Sequence, residues 1–451
     1  MNIIIVGCGK VGYAIASQLT DEGHQITMVD SDGERLERAC SSLDTNGISG
    51  NGTVYSILLE AGIKDADVFI AVTKHDEVNL LSCVIAKKAG KCQTIARVKS
   101  PEYYEEISFL TEELGISFSF NPESMTAKEI YMLIHLPSAL EIDTFAKGKV
   151  NLIKVKVPED SVLHNMSLRD LSSRINNEVL VCTVERNKEI IIPDGNFVLQ
   201  SGDMISFTIP MKQAYSFFNK IGVKAKSIKD VVIAGGGTIA YYLASLLLKS
   251  KVSVKIIEPN KHRCEVLSEN LPGAMIIHGD VNDSDLLMQE GIASADALVS
   301  LSEYDEENIV LSLYAAKTSS AKIITKINRS EFFNAFEDLP GSLVCPRNIT
   351  SEAMIGYVRS LKNSSVNNVE ALHKLFDNKA EALEFTVDES ASVINTPLSS
   401  LKLKNNLLVC NISRGSQIIK PRGDDMIKPG DTVVIVTTNK GLNSIDDILA
   451  K

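Results

Sequence analysis

Short apolar runs alternate with segments of helical periodicity along the first 122 residues of the chain. Between the runs, apolar residues recur at helical spacing, for example at Val11, Ala14, Ile15 and Leu19, which predicts amphipathic helices. This alternation is typical of parallel strands joined by right-handed helical crossovers. We therefore expect a doubly wound, Rossmann-like α/β sheet. Its predicted strands cover 2–6, 25–29, 46–49, 68–72, 94–98 and 117–120.

The same order of elements returns in the second half of the sequence. Gly7 and Gly235 are separated by 235 − 7 = 228 residues, and Asp30 and Glu258 by the same interval. A constant offset between matching segments indicates a tandem duplication, so we expect a second α/β sheet. Its predicted strands cover 231–234, 252–257, 275–277, 297–301 and 322–327.

An amphipathic helix is predicted after each α/β unit, at 124–136 behind Pro122 and at 349–361 behind Pro346. The apolar face of such a helix has no obvious core within its own sheet, so it should pack on another copy or another domain. We interpret both helices as dimerisation elements.

A strand-rich sequence of about 80 residues follows each helix and predicts a small, mostly antiparallel module. Its strands are expected at 152–157, 179–184, 189–192 and 204–209, and in the copy at 382–387, 407–412, 417–419 and 432–436. The resulting division gives α/β domains at 1–123 and 226–346, interface helices at 124–140 and 347–366, and small modules at 141–225 and 367–451.

A glycine-rich loop lies between the first strand and the first helix. Gly7, Gly9 and Gly12 form G-x-G-x-x-G, in which the glycines allow a tight turn, approach of the backbone to a pyrophosphate, and close packing of helix on sheet. Asp30 ends the second strand, where a carboxylate can accept both ribose hydroxyls and would repel a 2′-phosphate. The pattern predicts NAD or another adenine nucleotide with a free ribose. Cys8, Lys10 and Val11 complete the predicted loop.

Several polar residues should border the same crevice. Lys10 can neutralise a phosphate at the helix N-terminus, with a solvated lysine as the alternative. Thr73 and Lys74 end the fourth strand, beside the topological switch point. Arg97 ends the fifth strand and suits a phosphate or a carboxylate across an interface, although a simple surface ion pair is an equal alternative.

The second copy of the loop is altered but still predicts a nucleotide site. Ala240 replaces the third glycine, which the motif tolerates, and Glu258 replaces Asp30. Asp280, Ser302 and Lys326 match Asn51, Thr73 and Arg97 at an offset of 229. The predicted loop of this second site comprises Gly235, Gly236, Gly237, Thr238, Ile239 and Ala240.

Composition narrows the function classes. A net charge of −11 over 451 residues disfavours nucleic acid as a partner, because phosphate contacts need clustered Lys and Arg. No run of about 18 apolar residues occurs, so the chain is not expected to span a membrane by itself. The eight cysteines form no C-x-x-C pair and the seven histidines no H-x-x-x-H pair, so no metal site is predicted.

The two halves share loops and apolar positions rather than a repeated acid-base group. A dehydrogenase needs a proton donor, usually His or Lys, at the nicotinamide. The pattern favours a nucleotide sensor that is not an enzyme. An NAD-dependent oxidoreductase acting on a small molecule is the alternative.

The segments 6–12, 60–73, 76–79 and 96–103, together with Asp30, resemble the regulatory subunits of Trk-type potassium uptake systems. This TrkA family consists of tandem RCK (KTN) nucleotide-binding modules, and the resemblance covers essentially the whole chain. Two Gly-Asp turns, at 202–203 and 430–431, extend it to the small modules. At Asn51 the sequence departs from the Gly-Asp that is usual in the family.

The resemblance implies a cytosolic, ring-forming homo-oligomer, either a tetramer or a dimer of dimers, that lies peripherally at the inner face of the cell membrane. It would dock on a membrane potassium-translocating subunit and gate it in response to NAD(H), with ATP or ADP as alternative ligands. A nucleotide-binding scaffold without a membrane partner is a further alternative.

Overall fold

The computed structural model describes the chain in eight segments. Some side chains within them are not described. The described residues are 1–136, 139–145, 150–175, 178–222, 227–329, 339–362, 369–376 and 379–450.

The first α/β unit is a six-stranded parallel sheet in the order β3-β2-β1-β4-β5-β6. The reversal of order between β1 and β4 opens a crevice at the carboxyl ends of the strands. The strands are β1 Asn2–Val6, β2 Gln25–Asp30, β3 Asn46–Ser49, β4 Val68–Ala71, β5 Gln93–Arg97 and β6 Phe118–Phe120. The helices are α1 Lys10–Asp21, α2 Gly33–Leu43, α3 Tyr55–Glu60, α4 Asp76–Ala89, α5 Pro101–Glu105 and α6 Ile107–Leu114.

The second α/β unit repeats this topology in the order β14-β13-β12-β15-β16-β17, again fully parallel. The predicted pair of doubly wound sheets is therefore confirmed. The strands are β12 Asp230–Ala234, β13 Ser253–Glu258, β14 Met275–His278, β15 Ala297–Ser300, β16 Lys322–Lys326 and β17 Ser342–Val344. The helices are α9 Thr238–Lys249, α10 Lys261–Asn270, α11 Ser284–Gln289 and α12 Asp305–Thr318.

Each small module is an antiparallel sheet, as predicted, but has five strands where four were expected. The equivalent orders are β7-β8-β11-β9-β10 and β18-β19-β22-β20-β21. In the first module the strands are β7 Glu141–Phe145, β8 Val150–Lys156, β9 Leu180–Arg186, β10 Glu189–Ile191 and β11 Met204–Thr208, with helical turns Leu168–Asp170 and Leu171–Ile175 and helix α8 Met211–Lys220. In the second they are β18 Val369–Leu375, β19 Ala380–Thr386, β20 Leu407–Arg414, β21 Gln417–Ile419 and β22 Thr432–Thr437, with 3-10 turns Leu398–Ser400 and Ile445–Ile448. The edge strands β7 and β18 and helix α8 were missed by the sequence prediction.

The two interface helices are α7 Pro122–His135 and α13 Pro346–Lys362. Both begin earlier than predicted, because proline suits the first helical position. The side chain of Asn121 also caps α7 by accepting from the Ser124 amide at 2.7 Å.

These helices pack between the two halves of one chain. Helix α7 lies against α9, α13 lies against α1, and the two cross each other. Ile130, Leu133 and Ile134 on α7 and Met354 and Val358 on α13 are at most 1% exposed. The prediction that they pack on another domain is thus confirmed. Their use for dimerisation between chains through this face is wrong, because the same chain already buries it.

The apolar cores cross from one half to the other. One continuous core joins α7 and the first small module to the second α/β unit, through residues such as Leu133, Phe207 and Leu243. A second joins α13 and the second small module to the first α/β unit, through residues such as Ile5 and Val358. The interface helix and small module of each half therefore pack on the α/β unit of the other half. The halves cannot separate without exposing both cores to water.

The two small modules also meet face to face. Phe145 and Leu152 of the first pack with Phe376 and Val434 of the second in one buried cluster. None of the described helices combines the length and the apolar character that a membrane crossing requires.

Candidate functional site

The first glycine loop is shaped by close backbone contacts. Gly7 has φ +106°, and a Cβ there would lie 3.0 Å from the Thr73 backbone nitrogen. A Cβ on Gly12 would lie 1.8 Å from the carbonyl oxygen of Gly7. At Gly9, apart from its own chain neighbours, the described residues leave the Cβ position clear to 4 Å. The first and third glycines thus build the loop, and the second leaves its face open toward the crevice.

Asp30 ties this loop to the end of β2. Its Oδ2 accepts a hydrogen bond from the Cys8 amide at 2.6 Å, and its Oδ1 accepts from the Asp32 amide at 2.9 Å. The side chain is only 8% exposed, and Arg35 Nη1 lies 3.7 Å away. A carboxylate has about four acceptor positions, so these two amides leave capacity for the ribose hydroxyls that the sequence assigns to it. Arg35 is a neighbour that the sequence did not predict.

Asn51 and Asp280 have the same structural role in the two halves. Asn51 Oδ1 accepts from the Thr53 amide at 3.0 Å, and Asp280 Oδ1 accepts from the Asn282 amide at 2.9 Å. Both side chains form the turn that follows the third strand of their sheet, for which Asn and Asp are equally suited. The departure at Asn51 therefore removes a negative charge from this turn and preserves the turn itself.

The ends of β4 and β5 form the other wall of the crevice. The Thr73 amide donates to Asn79 Oδ1 at 2.8 Å, and Lys10 and Lys74 are exposed at the rim. Arg97 Nη2 lies 2.6 Å from Glu123 Oε1 in the first turn of α7, with the two side chains 15% and 17% exposed. This ion pair joins the sheet to the interface helix, and contact of Arg97 with a ligand stays a prediction.

The second glycine loop keeps this geometry with tighter packing. Gly235 has φ +98°, and a Cβ there would lie 3.0 Å from the Leu301 carbonyl. The Gly236 amide donates to Glu258 Oε2 at 2.7 Å, as Cys8 does to Asp30. A Cβ on Gly236 would lie 2.6 Å from Leu267 Cδ1, so a cysteine cannot occupy this position without displacing that side chain.

The rest of the second site follows the first with changed charges. Arg263 Nε donates to the Gly236 carbonyl at 2.6 Å, where its equivalent Arg35 pairs with acids instead. Ser302 donates its amide to Asn308 Oδ1 at 2.8 Å. Thr238 and Ile239 open α9, and Ala240 is fully buried in place of a glycine.

Lys326 lies at the end of β16, beside the second candidate site. Its side chain is buried, and Nζ donates to the Leu301 carbonyl at 3.3 Å. Burial lowers the pKa of Lys326, and the carboxylates of Asp305 and Glu303 oppose that shift. Lys10 of the first glycine loop is near enough to lower this pKa further.

The structure also places two unpredicted polar side chains at each site. Asp76 and Asn79 in the first turn of α4 are 4% and 0% exposed, and Asp305 and Asn308 in α12 are 4% and 1% exposed. The signal in the sequence was the repetition of Asp-x-x-Asn at an offset of 229.

The thiols do not form a reactive centre. All eight cysteines are free, and seven are buried. Burial, with the charge of Asp30 beside it, raises the pKa of Cys8 to about 12, so the thiol in the glycine loop stays protonated at neutral pH. Within the described part of the chain, no group of three His, Cys, Asp or Glu side chains could hold a metal ion.

Comparison with known domain families divides the chain as its fold does. Residues 3–122 and 231–345 match the model of the TrkA-N domain. Residues 152–222 and 382–450 match the model of the TrkA-C domain.

Relatives match over nearly their whole length. The Trk system potassium uptake protein TrkA homolog of Archaeoglobus fulgidus is 32% identical over 449 residues, covering 99% of this chain and 100% of that protein. The Trk system potassium uptake protein TrkA of Haemophilus influenzae is 30% identical over 450 residues, covering 98% of this chain and 96% of that protein.

Solved structures share the fold at low sequence identity. The GsuK RCK domain superposes with a TM-score of 0.64 at 15% identity, over 97% of this chain and 92% of that one. The GsuK channel bound to NAD gives a TM-score of 0.63 at 15% identity, over 97% of this chain and 77% of that one.

Proposed function

The chain belongs to the TrkA family of Trk-system potassium uptake proteins, and we propose that it is a cytosolic regulatory subunit that gates a membrane potassium-translocating partner when it binds an adenine nucleotide. The observation that carries the nucleotide part is the first glycine loop. Its second glycine faces open space, while its first and third are fixed by backbone contacts.

NAD(H) is the proposed ligand, and ATP or ADP are the alternatives. The loop amides at the start of α1 suit a pyrophosphate, since the N-terminus of a helix carries partial positive charge. Lys10, at the same end of α1, adds a full positive charge. Asp30 suits a free ribose and repels a 2′-phosphate, so NADP should bind more weakly than NAD.

The two apolar cores that join the halves offer a route by which nucleotide binding can regulate the partner. The first crevice reaches α7 through the Arg97–Glu123 pair, and α7 is buried against the second half. A ligand that prefers one arrangement of the halves shifts their equilibrium by its difference in affinity for the two arrangements. Nucleotide binding would in this way alter the shape that is presented to the membrane partner.

Ring formation is proposed through exposed apolar faces that both halves carry. Leu81 on α4 is 51% exposed, and on α12 Val310 and Leu313 are 63% and 43% exposed. Leu81 and Val310 are equivalent at 310 − 81 = 229 residues. Apolar residues on the outer side of a helix favour contact with further protein, and a surface present twice per chain suits a tetramer or a dimer of dimers.

The test combines binding with ion flux. The purified protein is titrated with NAD⁺, NADH, ADP and ATP by calorimetry, alone and with its membrane subunit, while potassium flux is recorded in vesicles. We expect binding without turnover and a change in flux at saturating nucleotide.

Potassium flux that does not change with any of the four nucleotides would contradict the gating proposal. Oxidation of NADH with a small substrate at about 1 s⁻¹ or faster would favour the oxidoreductase alternative instead. Cells that lack the protein should also grow poorly at low external potassium.

A further inference from the structure

A buried amide stands at the wall of each crevice. Asn79 is 0% exposed and Asn308 is 1% exposed, although both lie in the first turn of a surface helix. A buried primary amide is costly unless its hydrogen-bonding groups are satisfied. The same amide occurs at both equivalent positions, so its hydrogen bonds should serve a purpose that the two halves share.

Asn79 joins the ends of two neighbouring strands. Its Oδ1 accepts from the amide and the hydroxyl of Thr73, both at 2.8 Å. Its Nδ2 donates to the carbonyl of Thr73 at 3.3 Å and to the carbonyl of Arg97 at 3.0 Å. One side chain thereby fixes the end of β4 relative to the end of β5.

Asn308 makes the same set of backbone contacts in the second half. Its Oδ1 accepts from the Ser302 amide at 2.8 Å. Its Nδ2 donates to the carbonyls of Ser302 and Lys326, both at 3.1 Å. The arrangement therefore does not depend on the side chains at the strand ends, which differ between the halves.

The carboxylate three residues earlier fixes the next segment. Asp76 Oδ2 accepts from the amides of Lys99 and Ser100 at 3.0 and 2.7 Å. Asp305 accepts likewise from the amides of Asn328 and Arg329 at 2.8 and 3.1 Å. The first turn of each helix thus holds two strand ends and the loop after the second strand.

The residues that Asn79 holds are those that define the first crevice. The Thr73 backbone nitrogen is also one of the atoms nearest to Gly7, at 3.0 Å from its Cβ position, together with the carbonyl of Val72. Arg97, whose carbonyl Asn79 binds, directs its guanidinium to Glu123 on α7. Displacement of either strand end would change the width of the crevice and the contact with the interface helix.

We propose that Asn79 is a positioning residue for nucleotide binding, which sets the distance between the glycine loop and the ends of β4 and β5, and that Asn308 does the same in the second half. This inference rests on the proposed function. It assigns no contact between either amide and the ligand.

The test measures the first site alone. Gly237→Val should close the second loop without a clash, because no atom of the described residues, apart from its chain neighbours, lies within 4 Å of that Cβ position. In this parent, Asn79→Ala should weaken binding of NAD⁺ or ADP on the order of tenfold, the effect of about 1.4 kcal/mol. Asn151→Ala is the matched control, since Asn151 is an equally buried amide, 2% exposed, in the first small module. It should lower the unfolding midpoint and leave nucleotide affinity within about twofold of the parent.

Asn79→Asp is a second variant for the same measurement. It replaces Asn79→Ala if that variant does not fold. The carboxylate keeps the acceptor for Thr73 but loses both donor bonds, and protonation restores one donor. Burial raises the pKa of a carboxyl, so its affinity relative to the parent should recover as the pH falls from about 8 to about 6.

Two results would overturn the inference: Asn79→Ala that folds and binds as tightly as its parent, or an affinity of Asn79→Asp that stays in a constant ratio to the parent across that pH range. If the wild-type protein bound no nucleotide, the proposed function itself would fail, and the inference with it.

Discussion

Asp143 and His373 occupy equivalent edge-strand positions in the two small modules and bond each other directly. Asp143 lies opposite Leu152 in the first module, and His373 lies opposite Ala382 in the second. His373 Nδ1 is 3.0 Å from Asp143 Oδ1 and 3.5 Å from Glu352 Oε2 of α13. The duplicated position thus holds an acid in one half and a histidine in the other, and the two form an ion pair between the halves.

The first prediction concerns the pH dependence of this bridge. Burial opposes the charged form of His373, but the carboxylates of Asp143 and Glu352 outweigh burial and raise its pKa well above 6.5. The bridge then contributes stability that is fully present below about pH 6.5, the unfolded pKa, and is lost as the pH rises through the folded pKa. Urea titrations at several pH values check this. The free energy of unfolding of His373→Gln should be lower than that of the wild type, and the difference should be largest at low pH.

The control for this measurement is His262→Gln, because the side chain of His262 is 86% exposed. Its difference from wild type should be small throughout. A deficit of His373→Gln that is constant with pH would contradict the assignment of the bridge.

The second prediction concerns Glu129 on α7, beside the same bridge. Burial, followed by the charges of Asp143, Glu141 and Glu352, raises its pKa well above 4.5. The pKa of this carboxyl group is higher in the folded than in the unfolded protein. The free energy of unfolding therefore falls as the pH rises through the folded pKa. Glu129→Gln should therefore increase the free energy of unfolding at neutral and alkaline pH and leave it nearly unchanged in acid. Lower stability of the variant at pH 8 in urea titrations would show that the carboxyl is held as a bonded anion.

The third prediction concerns nucleotide binding by the first loop. Gly9→Val should block the approach of the phosphates without destabilising the fold, because its Cβ position is open. Asp30→Ala should weaken NAD⁺ binding roughly tenfold to hundredfold, for a charged hydrogen bond of about 1.5 to 3 kcal/mol. Asp32→Ala, at the next carboxylate along the chain, is the matched control in calorimetry. Unchanged affinity in both Gly9→Val and Asp30→Ala would place the ligand elsewhere.

The fourth prediction concerns the crossed cores. Ile134→Ala should cost about 2 to 5 kcal/mol of unfolding free energy, the usual range for a fully buried isoleucine. Because α7 is buried against the second half, both halves should lose stability together. Urea unfolding followed by separate labels in the two α/β units checks this, and Met132→Ala, at a partly buried neighbour on α7, should cost less. Two separate transitions, with only the first one shifted, would contradict the crosswise packing.

The fifth prediction concerns assembly. Val310→Glu and Leu313→Glu place charges on an exposed apolar face of α12 and should reduce the mass of the assembly in light scattering while the unfolding midpoint changes little. Lys317→Glu is the control, as an exposed charged position on the same helix. An unchanged mass in the double variant would move the contact between chains to another surface.

The sequence by itself determined most of the elements and their order. Periodicity of two and of about 3.6 residues reports which side of a strand or helix faces inward, so both doubly wound sheets and most strands of the small modules follow from it. The glycine loops were also readable, because Gly7 and Gly12 are required by backbone contacts made within one strand–loop–helix unit and its neighbouring strand. The sequence prediction missed the edge strands β7 and β18 because each carries polar residues, such as Asp143 and His373, which pair with each other across the two modules.

Only the tertiary structure decided what covers each apolar face and which charge meets which. Periodicity marked the buried side of α7 but not its partner, α9, which begins more than 100 residues later. The sequence marked Arg97 as a charged strand end, and the fold brought it to Glu123 on α7. The charge of Lys10 helps to lower the pKa of Lys326, although the two are 326 − 10 = 316 residues apart in the chain. Contacts at such separations depend on the packing of whole elements, whereas local patterns encode only the orientation of each element by itself.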